Sequence, residues 1–204
     1  MNDLRPSYYD IADFPDLQKL SENWKIIREE FNVLNAPIMK IDRFNKVHEE
    51  VVREVTEYIQ KGNEYGWVLG AGTYGGNYDW LQYGLVANDV TIPFVSPKLK
   101  NTIKMLENIK GIKVAALVKL KSLTALHCHQ HPGIFEENLL QLHLPIDTAL
   151  TNNYAYLNVR GEFRQHVCGE PIIFDGSLDH FALNESNKDR TILYIEFNKK
   201  LMVS

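Results

Sequence analysis

The sequence predicts a mainly β protein, an antiparallel sandwich or jelly roll with helices packed against it. Three observations lead there. After Gly111, short runs of period-two alternation dominate, at 113–120, 123–129, 139–144, 154–159, 162–167, 171–174, 179–183 and 190–197. Turn residues separate them: Pro132-Gly133, Asn152-Asn153, Gly161, Gly169 and Asp175-Gly176. Eight short strands joined by tight turns fit a jelly roll. Before Gly111, apolar residues recur instead at spacings of three and four, which is the helical period.

In chain order, residues 1–14 carry Pro6, Tyr8 and Tyr9, end at Pro15, and read as an extended lead-in. A helix starts at Asp16, which can cap it. Leu17, Leu20, Trp24, Ile27, Phe31 and Leu34 form its apolar stripe, and Asn35-Ala36-Pro37 ends it. A second helix covers about 46–61, with Val47, Val51, Val55 and Ile59 four apart and Gly62-Asn63 closing it. Both helices should lay one apolar face on a sheet and carry no chemistry. Trp67-Val68-Leu69 reads as a strand. Gly70, Gly72, Gly75 and Gly76 then interrupt it and imply a loop. That loop is dense in aromatics (Tyr74, Tyr78, Trp80, Tyr83), as a lid, a substrate wall or an irregular surface loop would be. Gly70, Gly72 and Gly75 satisfy GxGxxG, but no helix follows to bind a dinucleotide phosphate. A short helix is expected at 97–108.

With 204 residues, 45% of them apolar, one domain can bury a sizeable core. About 1–110 would be a helical and irregular elaboration, and about 111–198 the core. A net charge of −4 is too mild, and of the wrong sign, for nucleic acid. No apolar run reaches the ~18 residues of a membrane span. The first residues lack the basic and apolar regions of a signal peptide, so the expected location is cytoplasmic. Cys128 and Cys168 should then be free thiols, and neither belongs to a CxxC zinc motif.

The chemistry-bearing residues are histidines. His127, His129 and His131 sit at alternate positions and share a face if the strand runs that far. In 139–144, Gln141 and His143 share one face, while Leu140, Leu142 and Leu144 share the other. In 190–197, Arg190, Ile192 and Tyr194 alternate with Thr191, Leu193 and Ile195. Polar groups on the inner face of a small barrel usually meet a ligand or a metal, and imidazole suits zinc, copper and iron. His48 and His166 read as structural.

From about Phe14 to Asn198 the chain resembles the aspartyl/asparaginyl β-hydroxylases. The matching pieces are HCHQHPG, LQLHLPI, Gly161-Glu162, PIIFDGSLDHFALN and DRTILYIEF, with FPDLQKLSENWKIIREEF resembling the helix before the core. The resemblance implies a double-stranded β-helix, a jelly-roll and cupin-like core with N-terminal packing helices. It also implies Fe(II), 2-oxoglutarate as cosubstrate, and O2. By it His131 and His180 ligate the metal. His129, one strand step from His131, is the alternative ligand, and His127 either orients a ligand or is a plain packed or surface histidine. Gly133 marks a vacant carboxylate position. His143 lies beside the cosubstrate, and Arg190 pairs with its far carboxylate, a planar two-pronged match.

Gln141 departs from the family, which carries an arginine there. Gln141 then stands on the cosubstrate side without the charge: either cosubstrate binding is weaker, or Lys119 or Lys121 supplies the charge, or the charge served substrate recognition and this protein takes a different substrate. Asp175 reads as a turn cap, Asp179 as facing away, and Glu136 and Glu137 as solvated. The implied reaction hydroxylates an unactivated C–H bond of a small-molecule or amino-acid-like substrate. Three other readings stay open: a halogenase of the same fold, a cupin-type metal enzyme without 2-oxoglutarate, and a non-catalytic binding module.

Overall fold

The structure, a computed structural model, describes residues 5–46 and 48–202. The side chains of residues 48, 49, 132, 201 and 202 lie outside that description, so the structural reading of His48 does too. The N-terminal part contains β1 (Tyr8–Tyr9), α1 (Pro15–Glu22), α2 (Trp24–Asn32), β2 (Ile38–Asp42), α3 (His48–Gln60), β3 (Trp67–Ala71), β4 (Gly76–Ala87), β5 (Val90–Thr91) and α4 (Lys100–Glu107). Then follow β6 (Ile112–Leu120), β7 (Thr124–Ala125), α5 (Pro132–Glu136), β8 (Leu139–Asp147), β9 (Ala155–Val159) and β10 (Glu162–Gln165). The chain closes with β11 (Ile172–Phe174), β12 (His180–Asn184), β13 (Arg190–Asn198) and α6 (Lys199–Met202).

Two sheets face one another. The larger runs β1-β11-β8-β13-β6-β4-β3-β2, with β5 on β4, and the smaller runs β10-β9-β12-β7. From β6 onward the chain alternates between the sheets except at the β9–β10 hairpin, and every pairing among these strands is antiparallel. That is a double-stranded β-helix. The elaboration widens its larger sheet by β4, β3 and β2, with β2 joining parallel to β3.

Alternation along the strands divides the larger sheet into two faces. Leu140, Leu142 and Leu144 of β8 and Leu193, Ile195 and Phe197 of β13 lie in one core with Leu17, Leu20 and Ile27 of the helices. Arg190, Ile192 and Tyr194 of β13 and Gln141 and His143 of β8 turn the other way, toward a cavity between the sheets. Leu157, Val159 and Phe174 pack inside the barrel beside that cavity, with the Phe174 ring against His143 and His180. Pro145 sits within β8, where it can donate no ladder bond. The register with β13 shifts between Thr191 and Ile192 to accommodate it.

Several elements differ from the sequence reading. The long first helix is two helices, broken at Asn23, whose side chain bonds back to the Lys19 carbonyl at 2.8 Å. Asp16 lies in the first turn and does not cap; Pro15 opens the helix. The supposed glycine loop is a hairpin. Gly70 and Gly76 belong to β3 and β4, and only residues 72–75 turn. A Cβ on Gly70 would lie 2.3 Å from the Trp80 ring, so that glycine lets the indole cross the strand. The expected strand 123–129 is paired as a strand only at Thr124–Ala125, with one further bridge between His129 and His180. No helix among the described residues is long and apolar enough to cross a membrane. Both cysteines are free.

One carboxylate ties the helical layer together. Glu30 of α2 is buried and accepts four hydrogen bonds of 2.7–2.9 Å from Asn101 and Thr102. Two come from backbone N–H groups in the first turn of α4, where helix donors lack partners and negative charge is favoured. Glu30→Ala should lower unfolding stability by about 2–3 kcal/mol in urea titration, the range for hydrogen bonds to a charged group. A loss below ~0.5 kcal/mol would show that the cap is not holding α2 to α4.

Candidate metal and cosubstrate site

Three imidazoles converge because of one bridge. His129 and His180 exchange backbone bonds of 2.9 and 3.0 Å, which sets their rings side by side. His131 follows two residues later, its N–H bonded to the Gly176 carbonyl at 2.9 Å. One ring nitrogen from each of His129, His131 and His180 lies within 4.8 Å of the others.

Two of the rings are already set for ligation. His129 Nδ1 bonds the His127 carbonyl at 2.8 Å, and His180 Nδ1 bonds the Leu178 carbonyl at 2.8 Å. A carbonyl only accepts, so each Nδ1 carries the proton and each Nε2 presents a lone pair. Backbone carbonyls that fix a tautomer in this way are the usual partners of metal-bound histidines. Burial, reinforced by repulsion from His180, His129 and Arg43, pushes His131 down to about 3. Burial and His129 push His180 down to about 4. Desolvation lowers His129 as well. All three are therefore neutral at pH 7, and a metal need displace no proton. Three neutral nitrogen donors fit iron and other first-row divalent ions.

The cavity beside the cluster has a volume of about 340 Å³. Arg190 lines it, 2% exposed, with Nε and Nη1 buried and without a hydrogen-bond partner among the described residues. Burial pushes Arg190 down to about 9, so it remains a cation at pH 7. An unpaired buried cation is costly, and the cavity it faces can admit an anion.

His143 stands on the same wall. Its Nδ1 lies 3.1 Å from His166 Nε2, and both rings are buried and held well below the usual histidine range by desolvation, with the Arg190 charge adding to it. His166 Nδ1 has no hydrogen-bond partner among the described residues. A buried N–H without an acceptor is the costlier omission. His166 Nδ1 is then the bare lone pair, and its Nε2–H donates to His143 Nδ1. His143 keeps its own proton on Nε2, as a second donor beside Arg190. His166 thus has an orienting role that the sequence reading missed.

Gln141 is 1% exposed, and its Nε2 bonds the Tyr194 hydroxyl at 2.5 Å and Glu196 Oε1 at 3.4 Å. The Tyr194 hydroxyl also donates to Glu196 Oε1. A Cβ on Gly176 would fall 2.1 Å from Gln141 Oε1, so the glycine makes room for the amide. Lys119 and Lys121 do not replace the missing charge. Lys119 lies on the opposite face over the Trp67 ring at 4.9 Å, and Lys121 pairs with Asp79 at 3.8 Å. Besides Arg190, the cavity lining carries Lys113, which pairs with Glu137, and Arg43, just after β2, in the stretch between the two helices read from the sequence. Glu196 also went unread, although it continues the alternation of Arg190, Ile192 and Tyr194.

The other expectations sort by geometry. His127 is exposed and outside the cluster, but its carbonyl orients His129. Gly133 sits in the first turn of α5 with open space where a Cβ would be. Asp175 caps the turn through the Ser177 N–H at 3.0 Å. Asp179 bonds Gln130 on the surface. Glu137 pairs with Lys113 at 2.8 Å at the cavity edge and is not merely solvated.

A sequence profile described as aspartyl/asparaginyl β-hydroxylase matches residues 21–200. The chain belongs to that family. A curated relative, the ornithine lipid ester-linked acyl 2-hydroxylase of Rhizobium tropici, is 21% identical over 196 residues. The match covers 96% of this chain but only 62% of that protein's length. Among solved structures, a 2OG-Fe(II) oxygenase family oxidoreductase from Burkholderia pseudomallei aligns with TM-score 0.46 and 10% identity, over 74% of this chain and 80% of that one. The Cupin_2 domain of an XRE-family regulator from Enterobacter cloacae aligns with TM-score 0.38 and 13% identity, over 58% and 96%.

Anaerobic calorimetric titration with Fe(II) should give one site. His180→Ala should weaken it by more than the ~10–100-fold that loss of an orienting partner costs, and His127→Ala, which keeps the carbonyl, should leave it nearly unchanged. Unaltered affinity in His180→Ala would place the metal elsewhere.

Proposed function

We propose that the protein is an Fe(II)- and 2-oxoglutarate-dependent oxygenase that hydroxylates an unactivated C–H bond. The observation that carries the reading is the pairing of a tautomer-set histidine cluster with an unpartnered buried arginine in one cavity. His131 and His180 would hold the iron, and His129 is placed to be a third ligand. When bound, iron and 2-oxoglutarate supply the oxidising chemistry: the acid and O2 become succinate and carbon dioxide, and the second oxygen atom enters the substrate C–H bond.

The protein's own part is positioning. Arg190 binds the far carboxylate of the acid through its two free nitrogens, and His143 adds a neutral donor at the same end. Ile192 and Leu157 keep that end apolar, which strengthens the charge pairing by excluding water. Family membership supports hydroxylation, and the named reaction of the Rhizobium tropici relative, a 2-hydroxylation, is of the same kind. A cavity of 340 Å³ is at the small end of the ~300–1,000 Å³ of small-molecule sites, which favours a small substrate.

Labelled 2-oxoglutarate should be converted to succinate in the presence of Fe(II) and ascorbate. Arg190→Met should raise the KM for 2-oxoglutarate on the order of 100-fold, as expected when one partner of a buried charge pair is truncated. Turnover independent of 2-oxoglutarate would favour the cupin-type enzyme. Chloride-dependent chlorinated product would favour the halogenase. Absence of both turnover and acid binding would leave a binding module.

A further inference from the structure

Three charged groups of the cavity wall have no ionic partner among the described residues: Arg190, Arg43 and Glu196. The proposed cosubstrate accounts for the first. The others form a separate pair of opposite sign. Arg43 bonds only the neutral Gln82 amide, at 3.2 Å, and has no carboxylate within ion-pair distance. Glu196 bonds the Tyr194 hydroxyl and the Gln141 amide, again with no cation beside it. The remaining charged pair at the cavity, Lys113 and Glu137, is closed on itself at 2.8 Å.

These two charges also stand in the right part of the cavity. Both line the cavity beside the histidine cluster: Arg43 bonds Gln82 of β4, which stands level through Val118 with Ile192, between Arg190 and Tyr194 of β13, and Glu196 lies two positions beyond Tyr194. Arg190 and Glu196 stand six positions apart on one face of β13, roughly 20 Å along the strand at ~3.3 Å per residue. A chelating acid reaching from the metal to Arg190 therefore leaves the Glu196 end of the cavity free, and Arg43 enters the cavity between the two.

We propose that Arg43 and Glu196 are the specificity-determining residues for substrate, and that the substrate is a small zwitterion of the free amino-acid type. Arg43 takes the carboxylate through its planar fork. Glu196, held in place by Tyr194 and Gln141, takes the ammonium. Gln141 then has a reason to be uncharged: a guanidinium there would pair with Glu196 and remove the ammonium site. The proposal rests on the oxygenase reading only in assigning Arg190 to the cosubstrate.

The test is calorimetric and does not depend on turnover. The full chain, with and without Mn(II) and 2-oxoglutarate, is titrated with the free L-amino acids, their N-acetyl derivatives and their amides. At least one free amino acid should bind, and blocking either end should weaken it on the order of tenfold or more. Arg43→Gln should abolish the penalty for amidation while keeping that for acetylation. Glu196→Gln should do the reverse, and Arg43→Lys should restore part of the carboxylate preference. Because each variant is compared with itself across ligands, a general loss of stability cannot imitate the crossed pattern. No amino-acid binding, equal binding of blocked forms, or penalties that persist in the variants would overturn the proposal. Titration of 2-oxoglutarate with Mn(II) in the same preparation is a separate readout. Its failure would sink the oxygenase reading, while the amino-acid result would still decide the proposal.

Discussion

A guanidinium buried without an ionic partner organises the inner half of this protein. Arg190 starts β13, where the ladder with β6 fixes its backbone opposite Leu120 and leaves its side chain only the cavity to enter. Water is largely excluded, and two of its nitrogens bond nothing among the described residues. Such an arrangement lowers stability unless something offsets it. The surroundings do not offset it with a carboxylate; they keep His143 and His166 uncharged. A site that withholds its own counter-ion is prepared for one brought by a ligand.

The same alternation that creates this site also supports it. Residues 193, 195 and 197 of β13 anchor the strand in the core under the helices, while residues 190, 192, 194 and 196 face the cavity. Glu30 locks α2 to α4, and the helices cover the back of β8 and β13. Rigid strands therefore carry Gln141, His143, Arg190 and Glu196, whereas Arg43 follows the end of β2. The histidine cluster is different, since its first two histidines lie in a connection held by the bridge from His129 to His180.

How legible this was in the sequence follows from the range of the interactions. The strands β6 and β8 to β13 were readable because alternation and turn residues are local signals, and the two faces of β8 and β13 followed directly. The pairing of His131 with His180 and the placing of Arg190 came from a resemblance between motifs, which substitutes for knowing the topology. Arg43 could not be read, because it reaches the cavity only when β2 joins the far edge of the widened sheet. The β3–β4 hairpin was misread because glycine signals both a turn and a close approach, and at Gly70 the cause is the Trp80 ring. The break at Asn23 left the apolar period undisturbed, so periodicity could not reveal it.

The most direct measurement is a crystal structure of the protein grown anaerobically with Fe(II) and 2-oxoglutarate, with data collected at the iron absorption edge. The account predicts one anomalous peak in contact with His131 and His180, with the keto acid chelating it and the far carboxylate on Arg190 Nε and Nη1. A metal bound away from those histidines, or an acid that leaves Arg190 unpaired, would contradict it.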